Sequence, residues 1–355
     1  MSENPSDGMQ MLRVDALHPD PSIIEQAAVV LRRGGLVALP TETVYGLAAD
    51  ATNAAAVAKI FEAKQRPRTD PLIVHISNTA ELPEVAADPP PLAHALANAF
   101  WPGPLTMVLR RSPSIPPIVS SGLDTVAVRF PAHAVAVALI RALGAPIAAP
   151  SANLFSRPSP TRADHVLKDL GGRIDMILDG GPTTVGVEST VVDLTIDPPA
   201  VLRPGGVPIE ALREIDPRIF YAPRHAAANE AVSSPGMLLK HYAPRAEVRL
   251  FSGPREGVLV RMHREISQLT SQGKTVGVLA LSEDAASLNA ATHLADLGSA
   301  GRLDDVSRNL FEGLRSLDDY AAEVIFVRAP DRKGLGEAIW DRLYRAAEGR
   351  IIEVV

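Results

Sequence analysis

Three cations, Lys64, Arg66 and Arg68, fall within five residues of a 355-residue chain. Charges spaced this closely suit a polyanion, because guanidinium and ammonium groups make their strongest hydrogen bonds to carboxylate and phosphate oxygens. Hydroxyls and further charges recur in proline-punctuated loops: Pro40-Thr41-Glu42-Thr43-Val44-Tyr45-Gly46, Trp101-Pro102-Gly103-Pro104, Pro150-Ser151-Ala152-Asn153, Ser156-Arg157-Pro158-Ser159-Pro160-Thr161, Gly186-Val187-Glu188-Ser189-Thr190 and Arg203-Pro204-Gly205-Gly206. Proline narrows the conformations such a loop must give up on ordering. Loops at strand ends are where open α/β sheets bind ligands. Together the groups suit a triphosphate, with Mg2+ carried by the nucleotide. Singly, each piece has a plainer reading. A K-x-R in a loop is ordinarily solvated surface, PSAN is an ordinary turn, Thr41 and Thr43 could cap a helix, and Arg129 could serve a structural ion pair. The order in which they occur together carries the argument.

Other chemistries fail on composition or spacing. The chain has no cysteine, which removes disulfides, thiolate nucleophiles and Cys-ligated zinc or iron–sulfur clusters. None of the nine histidines forms an H-E-x-x-H, and no G-x-S-x-G elbow occurs. Gly273-Lys274-Thr275 resembles the end of a phosphate loop, but Gln268 stands where the upstream glycine is required. Gly334-Leu335-Gly336 lacks its third glycine, Ile339 taking that place, and reads as the first turn of a helix. The net charge of −6, −5 of it in residues 1–210, offers no basic block for salt-driven nucleic-acid binding. The N-terminus has no apolar signal-peptide core and no run suits a membrane span, so the expected location is the cytoplasm.

The elements that must position these loops alternate between helix and strand. Of 31 prolines, 22 lie between residues 40 and 208 and two beyond residue 245. That shift divides the chain into a domain over 1–210, a linker over 211–245 and a small domain over 246–355. In the first, helices are predicted over 22–33, 53–63, 92–100 and 133–143. Strands are predicted over 36–39, 71–76, 105–109, 125–130, 146–149, 176–179 and 189–194, giving an α/β domain of mixed sheet. In the second, four strands (248–251, 275–281, 293–297 and 323–327) alternate with helices over 262–272, 303–317 and 335–347. This predicts a small parallel, Rossmann-like sheet.

The ordered motifs PTETVYGL, KQRP followed by PLIVHI, WPGPLT, VAVRFP, PSAN, GVESTVVDL and RPGG resemble those of the YrdC-type threonylcarbamoyl-AMP synthases over about residues 20–208. SPGMLLKHYAP and GLGEAIWDRLYRAA resemble the long, two-domain form of that family. The resemblance implies a twisted α/β sheet with a concave face holding the site. It implies condensation of L-threonine, bicarbonate and ATP into threonylcarbamoyl-AMP and pyrophosphate. Partner transferase proteins would then carry the group to the adenosine next to the anticodon of tRNA. Position by position, it assigns ATP to Lys64, Arg66, Arg68, Thr125, Ser151, Asn153, Ser159 and Arg203, with Tyr242 closing over the nucleotide. It assigns L-threonine to Thr41, His75, Arg129 and Ser189, with Arg129 on the carboxylate. No protein nucleophile is implied, since the substrates supply their own.

Two alternatives belong to other classes. A concave α/β face could hold double-stranded RNA without catalysis, although the net charge of that region opposes it. A carbamoyl-transfer module of hydrogenase maturation shares the domain but carries Cys-rich zinc elements, which this chain lacks.

Overall fold

A computed structural model of the protein describes residues 8–222 and 242–355. Residues 223–241 of the expected linker lie outside the described residues. The described chain falls into two compact units. One holds residues 8–155, 159–184 and 188–222; the other holds 156–158, 185–187 and 242–355.

The first unit is built on a mixed sheet of eleven strands among the described residues: β1 (Gln10–Arg13), β2 (Val37–Leu39), β3 (Gly46–Asp50), β4 (Ile73–His75), β5 (Leu105–Arg110), β6 (Thr125–Arg129), β7 (Ile147–Ala148), β8 (Met176–Asp179), β9 (Thr190–Asp193), β10 (Ala200–Arg203) and β11 (Phe220–Tyr221). Their order is β1-β8-β2-β3-β7-β4-β6-β5-β9-β10-β11. Parallel and antiparallel pairings mix: β4 runs parallel to β6, and β5 antiparallel to β6 but parallel to β9. Both faces are covered, so the central strands are apolar throughout. Val37, Leu39 and Ala48 point to one face, against Ala27, Leu31, Leu139 and Ile140 of helices Pro21–Arg32 and Ala134–Leu143. Their neighbours Ala38, Leu47 and Ala49 point to the other, with Ile60 and Phe61 of helix Ala54–Lys64. This is the period of two that a strand imposes.

Two helix starts in this unit follow Asx caps. Asp20 accepts from the Ser22 N–H, and Asn53 from the Ala55 and Ala56 N–H groups. Helix Ala54–Lys64 runs one residue further than its sequence suggests, so Lys64 is helical rather than the first loop residue. Helix Ile209–Ile215 and β11 continue ordered structure beyond residue 208.

The second unit holds a five-stranded, wholly parallel sheet with order β14-β13-β15-β12-β16, where β12 is Glu247–Ser252, β13 Val276–Ala280, β14 His293–Asp296, β15 Val324–Arg328 and β16 Ile351–Glu353. Four strands are expected from the sequence; β16 is the fifth. It follows helix Leu335–Ala346 after four residues, and its three-residue length leaves little periodicity to read.

Candidate functional site

The site is built around Arg129, the last residue of β6, which is 4% exposed. Its Nε donates to the Gly103 carbonyl at 3.3 Å and its Nη1 to Thr43 Oγ1 at 2.9 Å. Nη2 lies 2.7 Å from Glu42 Oε1. Thr43 Oγ1 is 2.8 Å from Thr41 Oγ1, which donates to the Val44 carbonyl at 2.6 Å. The two threonines therefore fold the loop after β2 onto the guanidinium rather than cap a helix. Gly103 is needed where it stands: a Cβ there would lie 2.3 Å from the Phe100 carbonyl oxygen.

The network extends across the sheet by register. Arg129 pairs with Thr106 on β5, and Thr106 Oγ1 is 2.7 Å from Ser189 Oγ. Arg203, closing β10, donates from Nη2 to the Ser189 carbonyl at 2.9 Å and to its Oγ at 3.2 Å. Ser159 donates to Glu188 Oε1. Thr41, Arg129, Ser189, Ser159 and Arg203, drawn from five separated motifs, thus share one buried polar region.

Lys64 is fully buried. Its Nζ donates to the carbonyls of Ser151 and Asn153, both at 2.5 Å, and so clasps the loop they define. Arg66 donates to the Asp70 and Pro71 carbonyls and pairs with the Asp70 carboxylate at 2.9 Å. Arg68 is exposed. The three cations thus differ: two fix backbone around them and the third faces solvent. Backbone bonds tie the loops together, with Tyr45 N–H donating to Pro160, Ala152 N–H to Tyr45 and Leu47 N–H to Pro150. The Tyr45 hydroxyl donates to the Gly181 carbonyl at 2.6 Å. Burial and nearby Asp179 push its pKa up, so it stays protonated.

His75 lies in register with Arg129 across the β4–β6 pair. Burial, and after it the Arg129 guanidinium, pull its pKa down to about 3, so the ring is neutral. Its Nδ1 faces the Ile73 carbonyl at 3.2 Å. A carbonyl can only accept, so Nδ1 carries the proton and Nε2 a lone pair.

Thr125 begins β6 and pairs with Arg110. It stands at the end of the strand opposite Arg129, about 13 Å away at ~3.3 Å per residue. Tyr242 belongs to the second unit, where it is buried, 5.4 Å from the Phe311 ring and under the Arg342 guanidinium.

Glu42 and Thr106 carry no role in the amino-acid sequence taken alone, and Thr43 only that of a helix cap. Glu42 sits inside the PTETVYGL motif, between two threonines. A carboxylate in such a setting ordinarily signals a cap or a solvated loop. Only the fold brings it to an arginine 87 positions away.

Comparison with known proteins adds to this geometry. A family model for Sua5, YciO and YrdC proteins, described as "Telomere recombination", matches residues 29–205. Another, described as "Threonylcarbamoyl-AMP synthase, C-terminal domain", matches residues 207–348. The threonylcarbamoyl-AMP synthase of Pyrococcus abyssi is 46% identical over 333 residues, covering 93% of this chain and 96% of its own. That of Bacillus subtilis is 44% identical over 339 residues, covering 95% and 96%. The crystal structure of P. abyssi Sua5 complexed with L-threonine matches with a TM-score of 0.91 at 44% identity, over 97% of this chain and 99% of that one.

Proposed function

Because this chain belongs to the threonylcarbamoyl-AMP synthase family, we propose that it condenses L-threonine, bicarbonate and ATP into threonylcarbamoyl-AMP with release of pyrophosphate. The product serves transferase proteins that modify tRNA next to the anticodon. Relatives carrying this name span nearly the whole chain, which favours the synthase over the RNA-binding alternative.

In this reading the threonine carboxylate meets Arg129, with Thr41, His75 and Ser189 around the rest of the amino acid. Neutral His75 adds no charge to compete with Arg129. ATP is held by Lys64, Arg66, Arg68, Ser151, Asn153, Ser159, Thr125 and Arg203. Lys64 and Arg66 supply positive potential from within while fixing the loops. Arg68 offers an exposed guanidinium to phosphate oxygens. No group of three or more His, Asp or Glu suited to a metal occurs among the described residues, and in this proposal Mg2+ arrives on the nucleotide. There it would offset phosphate charge.

The amine attacks bicarbonate or CO2 and gives an N-carboxylate. That carboxylate attacks the α-phosphorus, and pyrophosphate leaves in line. Both nucleophiles come from substrates, so the protein acts by positioning and by stabilising developing charge. Among the described residues, no helix is long and apolar enough to cross a membrane. The cytoplasm remains the expected site of action.

The observation that supports this most strongly is the buried region joining Thr41, Arg129, Ser189 and Arg203, motifs up to 162 positions apart. Pyrophosphate release from ATP should require both threonine and bicarbonate. Release that ignores either one would sink the proposal.

A further inference from the structure

Both carboxylate oxygens of Glu42 are buried and make no hydrogen bond, although Oε1 lies 2.7 Å from Arg129 Nη2. That nitrogen also lacks a hydrogen bond, while Nε and Nη1 of the same guanidinium are used. The Glu42 side chain is 10% exposed. A buried carboxylate has about four acceptor positions, and leaving them empty is costly. An incoming group that brings N–H donors to Glu42 and oxygens to Arg129 would relieve both deficits together. A free α-amino acid is such a group, since its ammonium and carboxylate are attached to one carbon.

We propose that Glu42 receives the α-ammonium group of L-threonine and takes its proton, freeing the amine that attacks bicarbonate. This rests on the synthase reading above. The threonine ammonium gives one proton to the Glu42 carboxylate. The nitrogen lone pair then forms the N–C bond to bicarbonate. The C–OH bond breaks, and the hydroxide leaves as water with a second nitrogen proton. Glu42 finally returns its proton to solvent. The sum is ammonium plus bicarbonate giving N-carboxylate, water and one proton.

Among the described residues, the charged and titratable groups facing Glu42 are Arg129 from β6 and His133 from the segment before helix Ala134–Leu143, whose ring senses the Glu42 charge. His75 stands beyond Arg129. Burial lowers the pKa of both histidines, so neither brings a second positive charge near neutral pH. The Glu42 carboxylate thus stands as an acceptor for the ammonium beside the Arg129 cation.

The test is Glu42→Gln in the full chain, with ATP affinity and circular dichroism as checks on folding. Threonine-dependent pyrophosphate release at pH 7 should fall about 100-fold or more, the usual scale for a lost general base. The deficit should then shrink by about tenfold per pH unit from pH 7 upward, as solution supplies free amine. Comparing the variant with wild type at each pH cancels changes in bicarbonate. Wild type should bind L-threonine at least tenfold more tightly than 3-hydroxybutanoate, which is threonine without its amine, and the variant should lose that preference. A folded variant with a pH-independent deficit and an unchanged preference overturns the proposal, as does a Glu42→Gln variant that turns over at the wild-type rate. Equal affinity of the wild-type protein for the two ligands overturns it without any variant. Absence of threonine-dependent release in wild type would instead strike the synthase reading itself.

Discussion

Lys64 has two duties at one nitrogen: it clasps the Ser151 and Asn153 carbonyls and is proposed to favour phosphate charge. Lys64→Ala should therefore show two separable losses. Turnover should drop by about two orders of magnitude, as expected for a group stabilising transition-state charge. Stability should fall by about 1–3 kcal/mol per carbonyl left unpaired. Urea unfolding beside a pyrophosphate assay separates the two; lowered stability with near-normal turnover would reduce Lys64 to a clasp. His75 gives a pH prediction whose sign is set by its depressed pKa of about 3. The unfolded chain binds the proton near pH 6.5 and the folded one resists it. Stability should thus fall as pH drops below about 6.5, by roughly 2 kcal/mol between pH 7 and 5. His75→Asn should flatten that slope in denaturant titrations across this range; an unchanged slope would place the acid sensitivity elsewhere. The residue types of the site were legible because they cluster in loops with unusual proline content. Glu42 was not, since its meaning depends on a contact made only after the sheet closes.

The turn after β10 and the loop before β9 press together at Gly205. A Cβ there would lie 2.3 Å from the Glu188 carbonyl oxygen and 2.4 Å from the Ser189 carbonyl carbon. Gly205→Ala must push these segments apart, with a cost of about 1–3 kcal/mol typical of overpacking, and should weaken the Arg203–Ser189 contact. Thermal unfolding measures the first effect and affinity for ATP the second; an unperturbed protein would show the loop to be loose. Most amphipathic helices and apolar strands such as Met176–Asp179 could be read to within a residue or two, but helix Arg255–Ser271 starts seven residues before the expected 262, where charges and a glycine interrupt the apolar spacing. Other elements could not. Apart from Leu47, β3 (GLAAD) is glycine, alanine and a terminal Asp, poor strand formers whose conformation is imposed by β2 and β7 on either side. β1 is mostly exposed and is held through its pairing with β8. Helix Ala163–Leu170 has a sequence too short and polar to stand out from the loop chemistry around it.

Across the whole chain, the proline-rich region is a mixed sheet with loop-built chemistry, and the proline-poor region a parallel sheet. Where the chain can be cut follows from pairing. β11 covers β10, which carries Arg203. Ending the protein after Arg213 removes β11 and leaves β10 at the sheet edge, and it also removes Tyr242, which the family resemblance assigns to the nucleotide. Activity should be lost in that form. Ending after Ala222 keeps β11 and should recover stability, seen as a higher unfolding midpoint, but not turnover. Full turnover in either form would show the remainder of the chain to be dispensable. The central claim is the identity of the product. Mass spectrometry with ATP, L-threonine and 13C-bicarbonate should detect threonylcarbamoyl-AMP with one labelled carbon. It should vanish when ATP, threonine or bicarbonate is left out. A labelled product that forms without threonine, or no labelled adenylate from folded protein with all three present, would contradict the account.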